Sequence, residues 1–175
     1  GDPGGGSDSE RAGPVDGDPV GELLGQFEGV RKVTGAELVN SRRRLSSAHF
    51  SHRIKTAPYA KKSNINAWNG KPRLQRRPGG ITHAPRPWYE FEIILPEEEM
   101  LDPDCPPPGD FTVVTDDGWS FECRRQGDYG KNIRSKPTLL ILGKWVKGRL
   151  EASGALRTGN LVTDETLDSY GRGDI

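Results

Sequence analysis

The side chains of this sequence best suited to covalent or acid–base chemistry are its three histidines, His49, His52 and His83. A phosphodiester-cleaving HxK pair uses one His to attack phosphorus and a Lys two positions on to hold the phosphate oxygens. His52-Arg53-Ile54-Lys55 is one residue too long for that pair and has no second copy. Metal-dependent cleavage needs acids that converge on Mg²⁺ beside a Lys, and Glu122-Cys123-Arg124 with Asp104 or Asp116 imitates that pattern poorly. Neither a Walker-type phosphate loop nor a GxSxG elbow occurs. Cys105 and Cys123 lack CxxC spacing and a nearby His, which argues against zinc and reads as two lone thiols of a reduced, cytoplasmic protein. The chain alone is expected to carry no catalytic constellation, no metal and no cofactor.

The chemistry that remains is recognition. Lys+Arg and Asp+Glu cancel at 25 each, but the charges are segregated along the chain. Residues 1–30 hold seven acids and one base, and residues 31–77 hold thirteen bases against Glu37 alone. Residues 88–118 hold ten acids and no base, residues 119–150 eight bases and two acids, and residues 151–175 five acids and two bases. A fold that joins the two basic blocks makes a positive face between acidic flanks, the electrostatic footprint of a nucleic-acid binder. Both blocks also contain Asn, Gln and aromatic side chains able to read or stack on bases.

The elements that must position these residues are partly legible. With 23 Gly, 14 Pro and 32% hydrophobic residues among 175, the chain allows one domain and a disordered portion. Residues 1–35 read as a Gly/Pro/Asp-rich acidic linker and 36–175 as the folded domain; the start at Gly1 suggests a piece of a longer polypeptide. No apolar run is long enough to span a bilayer and the first residues lack the features of a secretory signal. A strand is expected near 37–48, and SNINAWNGKPRLQRRPGGITHAPRP (63–87) reads as a long polar loop. In WYEFEIILP, Tyr89, Phe91 and Ile93 alternate with Glu90 and Glu92, a half-buried strand ended by Pro96. FTVVTDDGWSFECRR is a hairpin about Asp116-Asp117-Gly118. Ser135 is expected to cap a helix with Pro137 in its first turn. Leu139, Leu142, Val146 and Leu150 form the apolar stripe of that helix, with Lys144, Lys147 and Arg149 off it. TDETLDSYG reads as a short helix capped by Thr163 and ended by Gly171.

FTVVTDDGWSFECRR, Lys131, LGKWVKGRL and VTDETLDSYGRGD together resemble the C-terminal domain of NgoFVII-type restriction endonucleases. SNINAWNG resembles that family's SGLNWG loop and WYEFEIILP its next strand, so the resemblance covers about 37–175. It implies a mainly β fold similar to the plant B-three domain: an open, seven-stranded pseudobarrel with two short helices, here preceded by the disordered acidic segment. It also implies two arms that grip the major groove. The first carries Lys62, Ser63, Asn64, Asn66, Trp68, Asn69, Lys71 and Arg73; the second carries Arg124, Arg125, Gln126, Asp128, Tyr129, Lys131, Asn132 and Ser135. Arg73, Arg124, Arg125 and Lys131 would contact phosphate or guanine. Asn64, Asn66, Asn69, Gln126 and Asn132 would read base edges. Arg172 belongs to a structural YGR motif, Trp145 and the Leu stripe pack under the barrel, and the DDG turn fixes the hairpin beside the second arm.

By this resemblance the chain is the duplex-DNA recognition domain of a bacterial cytoplasmic restriction endonuclease, with double-stranded DNA and the parent's own nuclease domain as partners. Two departures stand out. One extra residue precedes Trp68, and the chain ends at Ile175 where the family adds a closing strand, which would leave an unpaired edge. Two other readings stay open: a single-strand or RNA-binding barrel that stacks bases on Trp68, Trp88, Trp119 and Tyr129, and a protein-interaction module with a basic docking face.

Overall fold

Among the residues that the computed structural model describes, 24–45, 50–54, 56 and 73–175, the TDDG hairpin organises the rest. The elements run β1 (Arg31–Lys32), α1 (Gly35–Leu45), β2 (Arg73–Arg77), β3 (Gly80–Ala84), β4 (Ile93–Ile94), α2 (Glu97–Met100), β5 (Gly109–Val114), β6 (Trp119–Gln126), a 3-10 turn (Asp128–Gly130), β7 (Asn132–Ser135), α3 (Leu140–Ala152) and α4 (Asp164–Tyr170). The fold is mainly antiparallel β. β6 is central: β5 pairs along one edge from Gly109↔Arg125 to Val114↔Ser120, while β1 takes Trp119–Ser120 and β7 takes Cys123–Gln126. β4 completes this five-stranded sheet against β7, and β2–β3 form a separate two-stranded sheet.

Side chains that alternate along β6 explain the core. Phe121 and Cys123 point inward with Glu122 and Arg124 outward, the period-two pattern of a strand with one covered face. Phe91, Ile93, Leu95 and Ile133 join them, and Ile141, Leu142, Val146 and Leu150 of α3 and Leu167 of α4 close over that layer. α4 matches its sequence signals: Thr163 and Thr166 form a reciprocal capping box, and Gly171 ends the helix at φ 88°.

Several expectations need correction. The stretch expected as a strand near 37–48 is helix α1 through Leu45. The Thr34 hydroxyl accepts the Glu37 N–H at 3.2 Å and the Glu37 carboxylate accepts the Thr34 N–H at 2.8 Å. This capping box satisfies two otherwise orphaned donors and outweighs the β-branched residues nearby. Thr34→Ala should therefore lower stability by about 1 kcal/mol, read as a lower urea midpoint with unchanged slope. The helices number four among the described residues rather than two. The linker boundary also shifts, because Leu24 is fully buried in the core and Arg31–Lys32 pairs with β6.

The polar loop 63–87 contains the β2–β3 hairpin, turned at Pro78-Gly79 with Gly79 at φ 100°. WYEFEIILP contributes only Ile93–Ile94 as paired strand. Its carboxylates are covered rather than solvated: Glu90 pairs with Arg86 at 3.3 Å and Glu92 accepts from Asn132 at 2.8 Å. Ser135 is the last residue of β7, not the start of a helix. Its hydroxyl nonetheless accepts the Leu142 N–H of α3 at 2.9 Å and donates to the Thr138 carbonyl at 2.7 Å. Lys147, expected off the apolar stripe, is fully buried. Its ammonium donates to the Trp88 carbonyl and lies 4.5 Å from the centre of the Trp88 ring, and burial lowers its pKa to about 7. The end of the chain is paired: His52 and Ile175 exchange backbone hydrogen bonds of 2.7 and 3.0 Å, and Ile54 N–H donates to Gly173.

Candidate nucleic-acid interface

The β6–β7 connection is built to present a tip. Gln126 and Asn132 pair across its base, so the five residues between them must reverse the chain. Gly127 (φ 87°) and Gly130 (φ 66°) supply left-handed backbone that only Gly adopts without cost. Tyr129 between them sits at φ 60° and ψ 14°, where a bulky side chain costs about 1–3 kcal/mol of strain. It is 93% exposed. A large aromatic ring held in unfavourable backbone and given to solvent stabilises nothing in the fold.

The loop is clamped from inside. Arg125 shares the inward face of Phe121 and Cys123 and is only 8% exposed. Its Nε donates to the Gly130 carbonyl at 2.6 Å, and one terminal nitrogen donates to the Pro106 carbonyl at 2.8 Å and to Cys105 Sγ at 3.5 Å. Asn132, half-buried on the other face of the sheet with Gln126, is also engaged: its Nδ2 donates to Glu92, its Oδ1 is buried without a partner among the described residues, and its amide lies against Gly127. Lys131 is pinned through its carbonyl, which accepts the Leu95 N–H at 2.7 Å.

The second arm thus divides. Gln126, Asp128, Tyr129 and Lys131 are at least partly exposed around the tip, whereas Arg125 and Ser135 are buried. Arg125 cannot reach a phosphate from where it sits, and the alternation Phe121, Cys123, Arg125 was the signal for its burial. Arg124 faces outward, 3.3 Å from Asp110, which Lys136 also engages at 2.5 Å. Those two cations hold the Asp110 carboxyl below its usual range, Lys136 through its hydrogen bond most of all. Arg134, which the sequence reading passed over, lies directly across from Arg124.

The first-arm residues Lys62, Ser63, Asn64, Asn66, Trp68, Asn69 and Lys71 lie outside the described residues, and Arg73 opens β2. Of the aromatic residues considered for base stacking, Trp119 is 5% exposed beneath Lys32. Trp88 donates its Nε1–H to Asn160 and stacks with Lys147, and Trp68 lies outside the described residues. Tyr129 alone of the four is free at the surface among the described residues.

The DDG turn lies at the opposite end of β6 from the second arm, not beside it. Eight strand residues separate the two, about 26 Å at the usual rise. It docks the hairpin on the helices: Asp116 pairs with Arg149 at 2.5 Å and Asp117 accepts from Trp145 at 3.0 Å. Arg149 also donates to the Tyr170 hydroxyl at 3.1 Å, and Arg172 reaches Asp174 at 3.4 Å and Asp116 at 4.0 Å. The TDDG, RL and YGR motifs therefore form one network, and the Arg149 guanidinium holds the Asp116 carboxyl below its ordinary range. The histidine of the HxxK string is buried with Nδ1 2.6 Å from Glu99. Among the described residues no group of three or more His, Cys, Asp and Glu is placed to hold a metal ion, and no helix is long and apolar enough to cross a membrane.

Compared with known proteins, the sequence matches the family model described as the NgoFVII C-terminal B3-like DNA-binding domain over residues 41–175. No curated protein matches it significantly.

Proposed function

This chain belongs to the NgoFVII C-terminal B3-like DNA-binding domain family, and from that premise we propose that it reads a duplex DNA sequence through the major groove. It would do so as the target-recognition domain of a restriction endonuclease whose nuclease domain is another part of the parent protein, in the bacterial cytoplasm. The five-stranded sheet and its covering helices then belong to an open pseudobarrel, with the two arms on its DNA-facing side.

The observation that carries this reading is the second-arm tip. Its backbone is held from within by Arg125 while Tyr129 is exposed and Lys131 partly so. A loop already ordered before contact saves the entropy of ordering it on binding. Gln126 at its base offers a carboxamide that can donate and accept at an adenine edge, and Lys131 a mobile point charge for phosphate. The reading needs no base-stacking platform, and the burial of Trp119 speaks for duplex over single strands.

A selection from random duplexes, followed by anisotropy titrations over a salt series, tests it. The expected outcome is one enriched sequence, bound with a slope of log K against log salt of about −4 to −7, from four to eight phosphate contacts at 0.9 counterion each. The selected duplex should be recovered uncut in the presence of Mg²⁺. A flat salt response or equal affinity for single strands would overturn the reading.

A further inference from the structure

The outward face of the sheet carries an acid between two cations. The register places Asp110 of β5 directly across from Arg124 of β6, and Arg124 across from Arg134 of β7. The Arg124 guanidinium lies 3.3 Å from Asp110 Oδ1, and the Lys136 ammonium, one residue beyond β7, donates to Oδ2 at 2.5 Å. Each carboxylate oxygen is thus taken by a different cation, as the free oxygens of a backbone phosphate would be. All three side chains are exposed. Gln126, at the base of the tip, stands two residues along β6 on the same face, about 7 Å away at the usual strand rise.

The carboxylate has nowhere to withdraw. Asp110 is fixed inside the β5–β6 ladder, and Lys136 is held beside it by its own N–H, which donates to the Glu122 carbonyl at 2.9 Å. A phosphate that reached Arg124 or Lys136 would therefore meet the Asp110 charge at close range, and like charges repel. The hydrogen bond from Lys136 above all keeps the Asp110 carboxyl below its ordinary range, so it stays ionised at neutral pH. Exposed ion pairs add little to stability. Their weight here is electrostatic: two cations and one anion act toward DNA as a single positive charge.

We propose that Asp110 is a built-in phosphate surrogate, which masks Arg124 and Lys136 and so limits the sequence-independent part of DNA binding. The proposal rests on the duplex-binding reading above and gives a role to a residue outside both arms. Phosphate contacts carry affinity without sequence information. An acid beside the base-reading tip lowers binding to all DNA and leaves the readers themselves untouched.

Salt titrations of the full chain on the selected duplex and on random duplexes test it. Asp110→Asn should raise affinity about 5- to 50-fold on both at about 0.1 M salt and steepen the slope by about 0.9 to 1.8, one or two added phosphates. Asp110→Glu keeps the charge and should bind as the wild type does. Glu165→Gln, on the exposed first turn of α4, removes an acid without unmasking a cation and should leave the slope unchanged. Lys136→Ala should leave the wild-type slope unchanged but lower that of the Asp110→Asn variant by about 0.9, a coupling that identifies the masked cation. Urea midpoints should stay near wild type, because the pairs are exposed and β5 is held by its backbone. If the wild type binds its duplex with the expected slope while Asp110→Asn matches it, weakens it or gains no more than Glu165→Gln, the surrogate proposal fails and the duplex reading survives. If the wild type binds no duplex, both fall.

Discussion

Gly143→Ala is expected to destabilise the protein by about 3 kcal/mol or more, the upper end of overpacking costs. A Cβ built at Gly143 would lie 1.6 Å from the Tyr89 carbonyl oxygen, 2.7 Å from its carbon and 3.0 Å from the Phe91 Cβ. Two of these are backbone atoms and cannot swing aside. α3 would have to lift from the segment that leads into β4, stretching the bond from Phe91 N–H to the Leu139 carbonyl and withdrawing Lys147 from the Trp88 carbonyl. The sign makes the test sharp, because helix propensity alone favours Ala over Gly by about 1 kcal/mol. Urea and thermal midpoints should fall clearly; a midpoint equal to or above wild type would mean that the helix does not approach Tyr89 so closely. The LG pair of the LGKWVKGRL motif thereby acquires a physical reason, close approach of helix to chain.

What the sequence disclosed and what it hid follow from the range of the forces involved. The TDDG hairpin and the Thr163–Gly171 helix were legible because a turn and two caps are written in adjacent residues. α1 was legible in principle, since Thr34 and Glu37 stand at capping-box spacing, but Val39 and the neighbouring apolar residues drew the reading toward a strand. The β2–β3 hairpin was hidden by its composition: Arg and Gln do not alternate with apolar residues, and Gly80 to His83 of its return strand are exposed. Glu90, Glu92 and Lys147 were misplaced for another reason. Whether a charge is buried depends on partners distant in sequence, here Asn132 for Glu92 and the Trp88 carbonyl for Lys147, and no local pattern records them. Within the segment read as the second arm, the burial of Arg125 was missed because the inward parity of β6 carries on through it.

That parity separates two arginine or lysine positions that charge alone would treat as equal. Lys131→Ala removes a surface charge, and should weaken binding to all duplexes alike with a slope smaller by about 0.9. Arg125→Met removes a charge that never leaves the interior. The tip loses its bonds to the Gly130 and Pro106 carbonyls, and ordering one or two loop residues at about 1–2 kcal/mol each must then occur on binding. Affinity for the selected duplex is expected to fall about 10- to 100-fold, or 1.4–2.8 kcal/mol, with the salt slope unchanged. Stability should fall by about 2–3 kcal/mol, as for hydrogen bonds to a charged group, so titrations belong well below the melting temperature. Because Arg125 acts through the tip, Arg125→Met and Tyr129→Ala should be non-additive, the double variant binding little worse than the weaker single one. A slope that drops with Arg125→Met, or full additivity with Tyr129→Ala, would mean that the guanidinium leaves its clamp and meets the DNA directly.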